Sequence, residues 1–417
     1  MSCSSKTQAS DPDSTQRFRR WFVFASLAVG AAILIRLLHV GSFGFADWLL
    51  DDFVAYWSAG RLLLEGQNPY DYKLLSGTQQ SVGWNEKPHV MLYPPWALIL
   101  FLPFGAADYP VARFVWLGVS LGLVVVLASH LWQLYGGKED LVMVAWFTTF
   151  AFYPTLYLLR IGQVGALVLL GVVLFLNYVR TQRFWLAGLV LPLAALKPHL
   201  LYLFWIAVGW WILKKKRWTV LGGLCISLLF CIAIPLVFNP HFIQQSGAIF
   251  DSARIPVFEY DTPTIGTVLR KLLGREQRWI QFLPMIAGGL GFWIGWMRGC
   301  EEWDWRRELP VLIAVSLWTS LYSWVGDLIL LLPMILHGAR LTLTRPARQQ
   351  IIWGGSFLGL NFVCFFFNQR GANDFAFTWI CPLLIGTYLI LPKWEREQRR
   401  LTSRSSNERG QSQGCSS

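Results

Sequence analysis

Charged side chains are scarce in this sequence. Asp, Glu, Lys and Arg together make up 14% of its 417 residues, whereas a soluble globular domain carries roughly 25%. Several stretches have no charge at all, among them residues 22–35, 114–129 and 141–159. Such runs approach the roughly 20 apolar residues that cross the hydrocarbon layer of a bilayer. Because they recur along most of the chain, a soluble domain with a single membrane anchor is excluded.

Cysteine motifs and a cleavable leader are also missing. No two of the seven cysteines have the spacing of a metal or redox motif, so we interpret them as packing residues. The first 20 residues lack the short apolar core and small-residue cleavage site of a signal peptide. We therefore expect residues 1–20 to be a polar cytoplasmic N-terminus and residues 21–40 to be an uncleaved first span.

Positive charge is present in excess, with a formal net charge of +12. It does not indicate a nucleic-acid partner, because the basic residues lie in short hydrophilic breaks between apolar runs. Positive residues beside span ends stay in the cytoplasm, so these breaks should share the cytoplasmic side. The breaks contain Arg17, Arg19 and Arg20; Arg180 and Arg183; residues 214–217; Arg298, Arg306 and Arg307; Arg340, Arg345 and Arg348; and the tail from Lys393.

This charge rule resolves three ambiguous segments. The run 184–213 has basic clusters at both ends and is interrupted at Lys197-Pro198. Two short spans that meet on the outer side keep both clusters in the cytoplasm, and the same holds for the run 309–336, interrupted at 323–327. The apolar segment 91–107 must not cross, since a crossing would invert every later cluster. We interpret it as an outer helix that lies on or dips into the membrane.

The sequence thus predicts an all-α, polytopic membrane protein with about twelve transmembrane helices and both termini inside. Large outer loops at about 41–110 and 239–278 would carry juxtamembrane helices. Irregular backbone gathered on one face needs partners or water, so we expect an outward-facing cavity there. The predicted regions are the N-terminus 1–20, the transmembrane domain 21–392 and a basic, disordered cytoplasmic tail 393–417.

The first outer loop carries a candidate catalytic carboxylate. Its sequence runs Asp51-Asp52-Phe53-Val54-Ala55-Tyr56. On a helix that starts here, Asp52, Tyr56 and Ala59 share one face. A carboxylate at the membrane surface that faces a cavity can act as a general base. The alternative is that Asp52 only caps the helix.

Several short motifs follow one another in a recognisable order. Asp-Phe-x-x-Tyr, beginning at Asp52, precedes Leu-Leu-x-Gly-x-Asn-Pro-Tyr-Asp, which ends at Asp71. Then come Tyr93-Pro94-Pro95, Gly162-Gln163, Ala195-Leu196-Lys197-Pro198, and Leu321-Tyr322-Ser323-Trp324 followed by Asp327. From about residue 20 to residue 392 this order resembles glycosyltransferase family 87, a family of integral-membrane enzymes in the GT-C superfamily.

The resemblance implies a fold and a reaction. Characterised members are largely polyprenyl-phosphate-mannose-dependent α-mannosyltransferases, so it implies a hexosyltransferase with mannose as the default sugar. The partners would be a polyprenyl-phosphate sugar donor, a glycolipid or envelope-glycan acceptor, and membrane lipids. Members of the superfamily carry a catalytic Asp just past the first span, which corresponds to Asp52 here, with Asp51 as the fallback. One such base suffices for an inverting displacement.

The donor site is predicted around Lys197. An ammonium at a broken helix junction near the membrane is costly without an anionic partner, and a lipid phosphate is a leaving group that a cation stabilises. The alternatives for Lys197 are an ion pair with an acid or a contact with headgroups. Asp327 is expected to orient the sugar or the phosphate. Tyr56, Gln163 and Trp324 complete the predicted donor site.

Arg270 belongs to a basic group in the second outer loop, with Lys271, Arg275 and Arg278. This group lies outside against the positive-inside trend. It is either a phosphate-binding edge, with Arg270 as part of the donor site, or a sign that the predicted topology is wrong at this point.

No metal or other cofactor is expected. More distant members of the superfamily place acidic metal ligands on the short outer turn that here carries Arg160 and Gln163. Mg²⁺ and Mn²⁺ prefer carboxylate oxygens, so this turn is a poor metal site.

A non-catalytic transporter or lipid flippase is the alternative function. Transporters often show matching halves with discontinuous helices. This chain has broken helices but no matching halves, and its acids gather in a surface loop. The sequence therefore favours an enzyme of the cell membrane whose active site lies on the outer face.

Overall fold

The computed structural model describes residues 51–251, 260–299 and 303–390. Every regular element within these ranges is a helix. The predicted first span, the N-terminus 1–20 and the tail 393–417 lie outside the described residues. The fold class is therefore all-α, as the hydropathy pattern predicts.

Nine helices form the first half of the described chain. They are α1 Asp51–Leu64, α2 Tyr72–Gln80, α3 Leu98–Gly105, α4 Tyr109–Leu134, α5 Val142–Ala151, α6 Tyr153–Ile161, α7 Gly165–Arg180, α8 Phe184–Leu189 and α9 Leu191–Ala194.

Nine more helices follow. They are α10 Tyr202–Lys215, α11 Trp218–Phe238, α12 Phe242–Asp251, α13 Ile265–Leu273, α14 Leu283–Gly299, α15 Trp305–Thr319, α16 Leu332–Leu343, α17 Ala347–Gln369 and α18 380–390. Short 3₁₀ turns precede α3, α5, α10, α14, α16 and α18. The turn before α10 is Pro198–Leu201 and the one before α16 is Val325–Leu331.

Four helical units in the described residues are long and apolar enough to cross a membrane: α4, α11, α17, and the 3₁₀ turn with α16 as Val325–Leu343. Helices α5 and α6, with a bend of 66° between them, make a fifth unit if the bent pair is counted as one span. Pro154 explains that bend, because proline lacks the N–H of a continuous helix and restricts the residue before it. Other apolar helices, such as α7, are shorter than 18 residues. The chain is a multi-pass helical membrane protein, and the count of twelve spans remains a prediction.

The segment 184–215 is a hairpin. Its helices break between Ala194 and Pro198, where the sequence places Lys197-Pro198. The Phe184 ring at the start lies 5.9 Å from the Trp211 ring and 4.2 Å from the Arg217 guanidinium at the end. The chain therefore runs out and back, which brings the two flanking basic clusters together as the charge pattern predicts.

One end of the bundle is defined by an aromatic and polar cluster where α4, α16 and α18 come together. The Tyr135 ring stacks on His337 at 4.4 Å, and the His337 Nδ1 and Tyr388 hydroxyl lie 2.6 Å apart. Arg340 donates a hydrogen bond to the Gly136 carbonyl. We call this the far end, because the breaks at Gln163, Lys197 and Asp327 meet at the opposite end.

The segment 91–107 does not form a long helix. Helix α3 has eight residues, which is roughly 12 Å at 1.5 Å per residue and far below the roughly 30 Å hydrocarbon layer. It packs on α1 at a very close approach, because Gly60 and Gly105 face each other's backbone. A Cβ at Gly105 would collide with the backbone of Gly60 and Arg61.

This contact gives a test of how α3 holds α1. Gly→Ala within a helix usually stabilises by roughly 0.5–1 kcal/mol, but Gly105→Ala should destabilise, because overpacking typically costs about 1–3 kcal/mol. Gly122→Ala on α4 is the matched control, since nothing lies within 4 Å of a Cβ there. Thermal unfolding of the purified variants in detergent is the measurement. A higher midpoint for Gly105→Ala than for the wild type would contradict this packing.

Candidate active site

Helix α1 presents the predicted catalytic face. Tyr56 is buried, and its hydroxyl lies 2.8 Å from the hydroxyl of Tyr93. Asp52, one turn earlier, keeps 28% of its side-chain surface exposed. The two residues share one face as predicted, with the tyrosine turned into the core and the carboxylate partly exposed at its edge. The side chain of Asp51, the fallback base, lies outside the described residues.

The Leu-Leu-x-Gly-x-Asn-Pro-Tyr-Asp motif at the end of α1 has a structural role. Gly66 has a φ of +71°, a left-handed conformation that favours glycine. The Asn68 side chain accepts a hydrogen bond from the Tyr70 amide, and Asp71 accepts from Lys73 and Leu74 amides as the N-cap of α2. The motif that ends at Asp71 therefore ends one helix and begins the next, and it contributes no chemical group to the site.

Asp52 is held by groups from two distant parts of the chain. The side chain of Gln163 hydrogen-bonds to it, and the His89 Nδ1 lies 3.8 Å from its Oδ1. Gln163 is positioned by the turn after α6, where Gly162 adopts a φ of +73° and its carbonyl accepts a hydrogen bond from Trp116. Burial raises the pKa of the Asp52 carboxyl, while Lys197, His89 and Gln163 act in the opposite direction. A raised pKa makes a carboxylate a stronger base.

The predicted cation and the predicted second acid form one buried ion pair. Lys197 Nζ lies 2.6 Å from Asp327 Oδ1, and both residues are almost fully buried. The other carboxylate oxygen, Asp327 Oδ2, accepts a hydrogen bond from the Trp324 amide at 2.9 Å. Lys197 also lies 5.7 Å from the centre of the Tyr93 ring. The structure therefore contains the acid-pairing alternative for Lys197.

A third carboxylate, Asp374, was not predicted from the sequence. Its Oδ2 accepts a hydrogen bond from the Val325 amide at 3.1 Å. Burial raises the pKa of Asp374 to about 6, and the charges of Asp327 and Asp52 act in the same direction. No spacing rule links Asp374 to Asp327, so only the folded chain shows that they are neighbours.

The basic group of the second outer loop is anchored by Asp261. Its carboxylate lies 2.8 Å from Lys271 Nζ and 3.3 Å from an Arg275 nitrogen. It also accepts a hydrogen bond from the side-chain amide of Asn373 at 3.2 Å. Lys271 also lies 3.8 Å over the Phe375 ring. These contacts tie the loop to the segment that carries Asp374.

Arg270 is buried, but it does not join Asp52. The charged neighbours of Arg270 include Arg275, Asp261 and Arg278. Lys197 and Asp52, by contrast, interact electrostatically with each other. The phosphate-binding role of Arg270 therefore stays a prediction.

The structure thus brings together most of the predicted site. Gln163 bonds to Asp52 and Lys197 pairs with Asp327, and the charges of this pair act on the Asp52 carboxyl. Tyr56 is connected to the site by the hydrogen bond between its hydroxyl and that of Tyr93. The backbone amide of Trp324 contacts Asp327, while the Trp324 ring lies 5.1 Å from the Tyr260 ring. Sequence reasoning missed His89 and Asp374 as site residues, and it quoted Tyr93 only as part of a motif. A pair of carboxylates beside a buried ammonium can remove a proton and stabilise a leaving anion.

Comparison with known proteins agrees with this chemistry. The sequence model of glycosyltransferase family 87 matches residues 91–333. An alpha-(1->3)-arabinofuranosyltransferase of Corynebacterium glutamicum is 30% identical over 197 residues, which are 45% of this chain and 41% of that protein. A polyprenol-phosphate-mannose-dependent alpha-(1-2)-phosphatidylinositol pentamannoside mannosyltransferase of Mycolicibacterium smegmatis is 26% identical over 291 residues, 64% of this chain and 65% of that protein.

These matches set the class of the protein. The helical membrane fold, the acid and base cluster and the transferase relatives together define a membrane glycosyltransferase. More particularly, the chain belongs to glycosyltransferase family 87, whose model covers more than half of it. The matched regions span 41% and 65% of the two relatives' own lengths. No solved structure matches the chain significantly.

The ion pair generates the first prediction for the site. Removal of one partner leaves an uncompensated buried charge, so Lys197→Met or Asp327→Leu alone should each lower the free energy of unfolding by about 3–5 kcal/mol. The double variant should recover most of this loss, because the apolar pair has similar volume and no charge. Denaturation of all three variants in detergent measures the coupling. Additive losses in the double variant would show that the two side chains do not interact.

The raised pKa of Asp374 generates a second prediction. A carboxyl whose pKa rises to about 6 on folding favours the folded state at low pH and loses that contribution as pH rises through about 6. Asp374→Asn should therefore stabilise the protein relative to the wild type at pH 8, by up to about 2 kcal/mol. The difference should shrink between pH 6 and pH 4.

Unfolding midpoints across this pH range provide the measurement. Asp108→Asn is the control, because Asp108 is exposed and makes no capping hydrogen bond. A stability difference for Asp374→Asn that does not change with pH would contradict the assignment.

Proposed function

We propose that this protein transfers a hexose, with mannose as the first candidate, from a polyprenyl-phosphate donor to a hydroxyl of a glycolipid or envelope glycan, with inversion at the anomeric carbon. The observation that carries the proposal is a partly exposed carboxylate, Asp52, beside the buried ammonium of Lys197 at the end of the bundle where helices break. This arrangement supplies a base and a cation within one site.

The proposed reaction assigns one role to each group. The acceptor oxygen attacks the anomeric carbon while its proton moves to Asp52, and the bond between that carbon and the phosphate oxygen breaks. The electron pair of the broken bond leaves with polyprenyl phosphate. Lys197 stabilises the negative charge that develops there.

The ion pair does not prevent this role for Lys197. An ammonium has three N–H donors, and Asp327 accepts one of them. Asp327 is itself fixed by the Trp324 amide. We therefore assign Asp327 to positioning Lys197, which can direct another N–H to the donor phosphate.

Tyr56, Gln163 and Trp324 fit supporting roles better than direct donor contacts. Tyr56 is buried and bonded to Tyr93, Gln163 holds the Asp52 carboxylate, and the Trp324 backbone holds Asp327. Each therefore orients one of the groups that act on the substrate.

The proposed reaction needs no metal. The support for this is that the carboxylate oxygens already have partners. Both Asp327 oxygens and one Asp374 oxygen bind Lys197 or backbone amides. A site for Mg²⁺ or Mn²⁺ would use such carboxylates as direct ligands.

We place the site on the outer face of the membrane. The far end of the bundle carries Arg340, which bonds to the Gly136 carbonyl. Arg306 also lies at this end, close enough to interact electrostatically with the Tyr135 hydroxyl. Positive residues near span ends favour the cytoplasm, so the site at the opposite end is expected outside. A glycosyl acceptor of the cell envelope would be reached from there.

The test is a transfer assay with purified protein. The donors compared are polyprenyl-phosphate mannose, polyprenyl-phosphate arabinofuranose, since one relative is an arabinofuranosyltransferase, and a nucleotide sugar. We expect transfer from a lipid-linked donor, in the presence of EDTA, and none from the nucleotide sugar. Turnover with the nucleotide sugar alone, or loss of all activity in EDTA, would contradict the proposed donor or the metal-free reaction. Lipid flipping without any transfer would favour the transporter alternative.

Asp52→Asn tests the base. It keeps the size of the side chain but removes the proton acceptor, so kcat should fall by about 10²–10⁴-fold while the fold survives. Asp51→Asn should cost much less, and Asp108→Asn, on the same outer segment, should cost nothing. An inactive Asp51→Asn with an active Asp52→Asn would transfer the role to Asp51, and activity in the double variant would eliminate the carboxylate base.

A further inference from the structure

His89 is held rigidly against the helix that carries Asp52. The buried side chain of Gln79 accepts from the His89 amide at 2.9 Å and donates to its carbonyl at 2.7 Å. The same Gln79 amide donates to the Ser58 hydroxyl of α1 at 3.0 Å. Because these bonds use only the backbone of His89, its position is fixed whatever its side chain does.

The imidazole ring of His89 points to Asp52. Its Nδ1 lies 3.8 Å from Asp52 Oδ1, and the Trp84 ring packs against it with centroids 4.8 Å apart. The His89 side chain keeps 35% of its surface exposed, more than the 28% of Asp52. The ring is thus in contact with the site and with solvent.

After each transfer Asp52 must lose its proton again, either to water at its exposed edge or to a neighbouring side chain. Among the described groups that act on it, Lys197 is already protonated in its ion pair and the Gln163 amide does not titrate. Both oxygens of Asp327 are occupied. His89 remains, and histidine is the side chain that accepts and releases protons near neutral pH.

We propose that His89 accepts the proton that Asp52 takes from the acceptor hydroxyl, and releases it to water before the next turnover. The proposal rests on the base role of Asp52 in the proposed function. The step moves one proton from the Asp52 carboxyl to Nδ1 of the neutral imidazole, and that proton then passes to solvent, so both side chains return to their starting state. No oxidant or other reactant is needed.

The distance of 3.8 Å is too long for a direct hydrogen bond. A contact of this length is bridged by one water or closed by a small rotation of the ring. Catalytic hydrogen bonds are often long in ligand-free proteins and shorten when substrate binds. His89 therefore acts through Asp52 and is a positioning and relay residue, without contact to the sugar.

The experiment compares His89→Ala, His89→Gln and the control His241→Ala in the full-length protein with the lipid-linked donor that the wild type uses. His241 is exposed, and the hydrogen bonds that the structure gives it use its backbone amide and carbonyl. Both His89 variants should lower kcat by about 10-fold or more without a change in the KM for the donor, because no donor contact is lost. His241→Ala should behave as the wild type.

Chemical rescue separates proton transfer from a structural role. Added imidazole should raise the rate of His89→Ala in proportion to its concentration. Pyrazole, which has nearly the same shape but is far less basic, should not. His89→Gln, whose side chain fills the space, should respond to neither compound.

Each other outcome rejects a defined statement. Wild-type kcat in His89→Ala and His89→Gln, while Asp52→Asn is inactive, overturns the relay and leaves the proposed function intact. Equal rescue by imidazole and pyrazole shows that His89 only fills space. Absence of lipid-linked transfer by the wild type rejects the proposed function itself, and the relay with it.

Discussion

Lys197 and Asp327 each lie where a helical hairpin turns, and their ion pair joins the two turns. A buried ammonium or carboxylate alone is costly, since it has lost its hydration. At 2.6 Å the two side chains compensate each other, and the Trp324 amide satisfies the second carboxylate oxygen. Every other group of the site is placed relative to this pair. Asp52, Tyr93 and Asp374 approach it from three further parts of the chain.

The helix breaks themselves create the need for such partners. Irregular backbone within a membrane protein must find hydrogen bonds inside the protein or in a water-filled cavity. Pro154 and Pro198 interrupt helices on two sides of the site, and Gly162 ends α6 in a left-handed conformation. The polar groups at these breaks use side chains from elsewhere, as Val325 does with Asp374 and Gly162 with Trp116. The same departure from regular structure that costs stability thus collects reactive side chains at one end of the bundle.

Local patterns explain which parts of this arrangement can be predicted from the sequence. The break at Lys197-Pro198, the return of the 184–215 hairpin and the shared face of Asp52 and Tyr56 follow from proline chemistry, charge placement and helical spacing. His89 and Asp374 could not be found in this way. Their contacts to Asp52 and Val325 cross 37 and 49 residues, and neither residue belongs to a periodic pattern. Clustered basic residues indicate the group around Arg270, but only the fold shows that Asp261 binds two of its members, Lys271 and Arg275.

The balance of charge in the site bears on how an anionic donor can bind there. Three carboxylates, those of Asp52, Asp327 and Asp374, lie around a single ammonium, so a lipid phosphate would enter a region that is already negative if all three are ionised. Burial and its acidic neighbours raise the pKa of Asp374 to about 6, so protonation of Asp374 relieves the conflict only in mildly acidic solution. Burial raises the pKa of Asp52 in the same direction, whereas Lys197, His89 and Gln163 favour its charged form. The negative charge that a base and a phosphate would bring together must therefore be offset mainly by Lys197 and by the hydrogen-bond donors around Asp52.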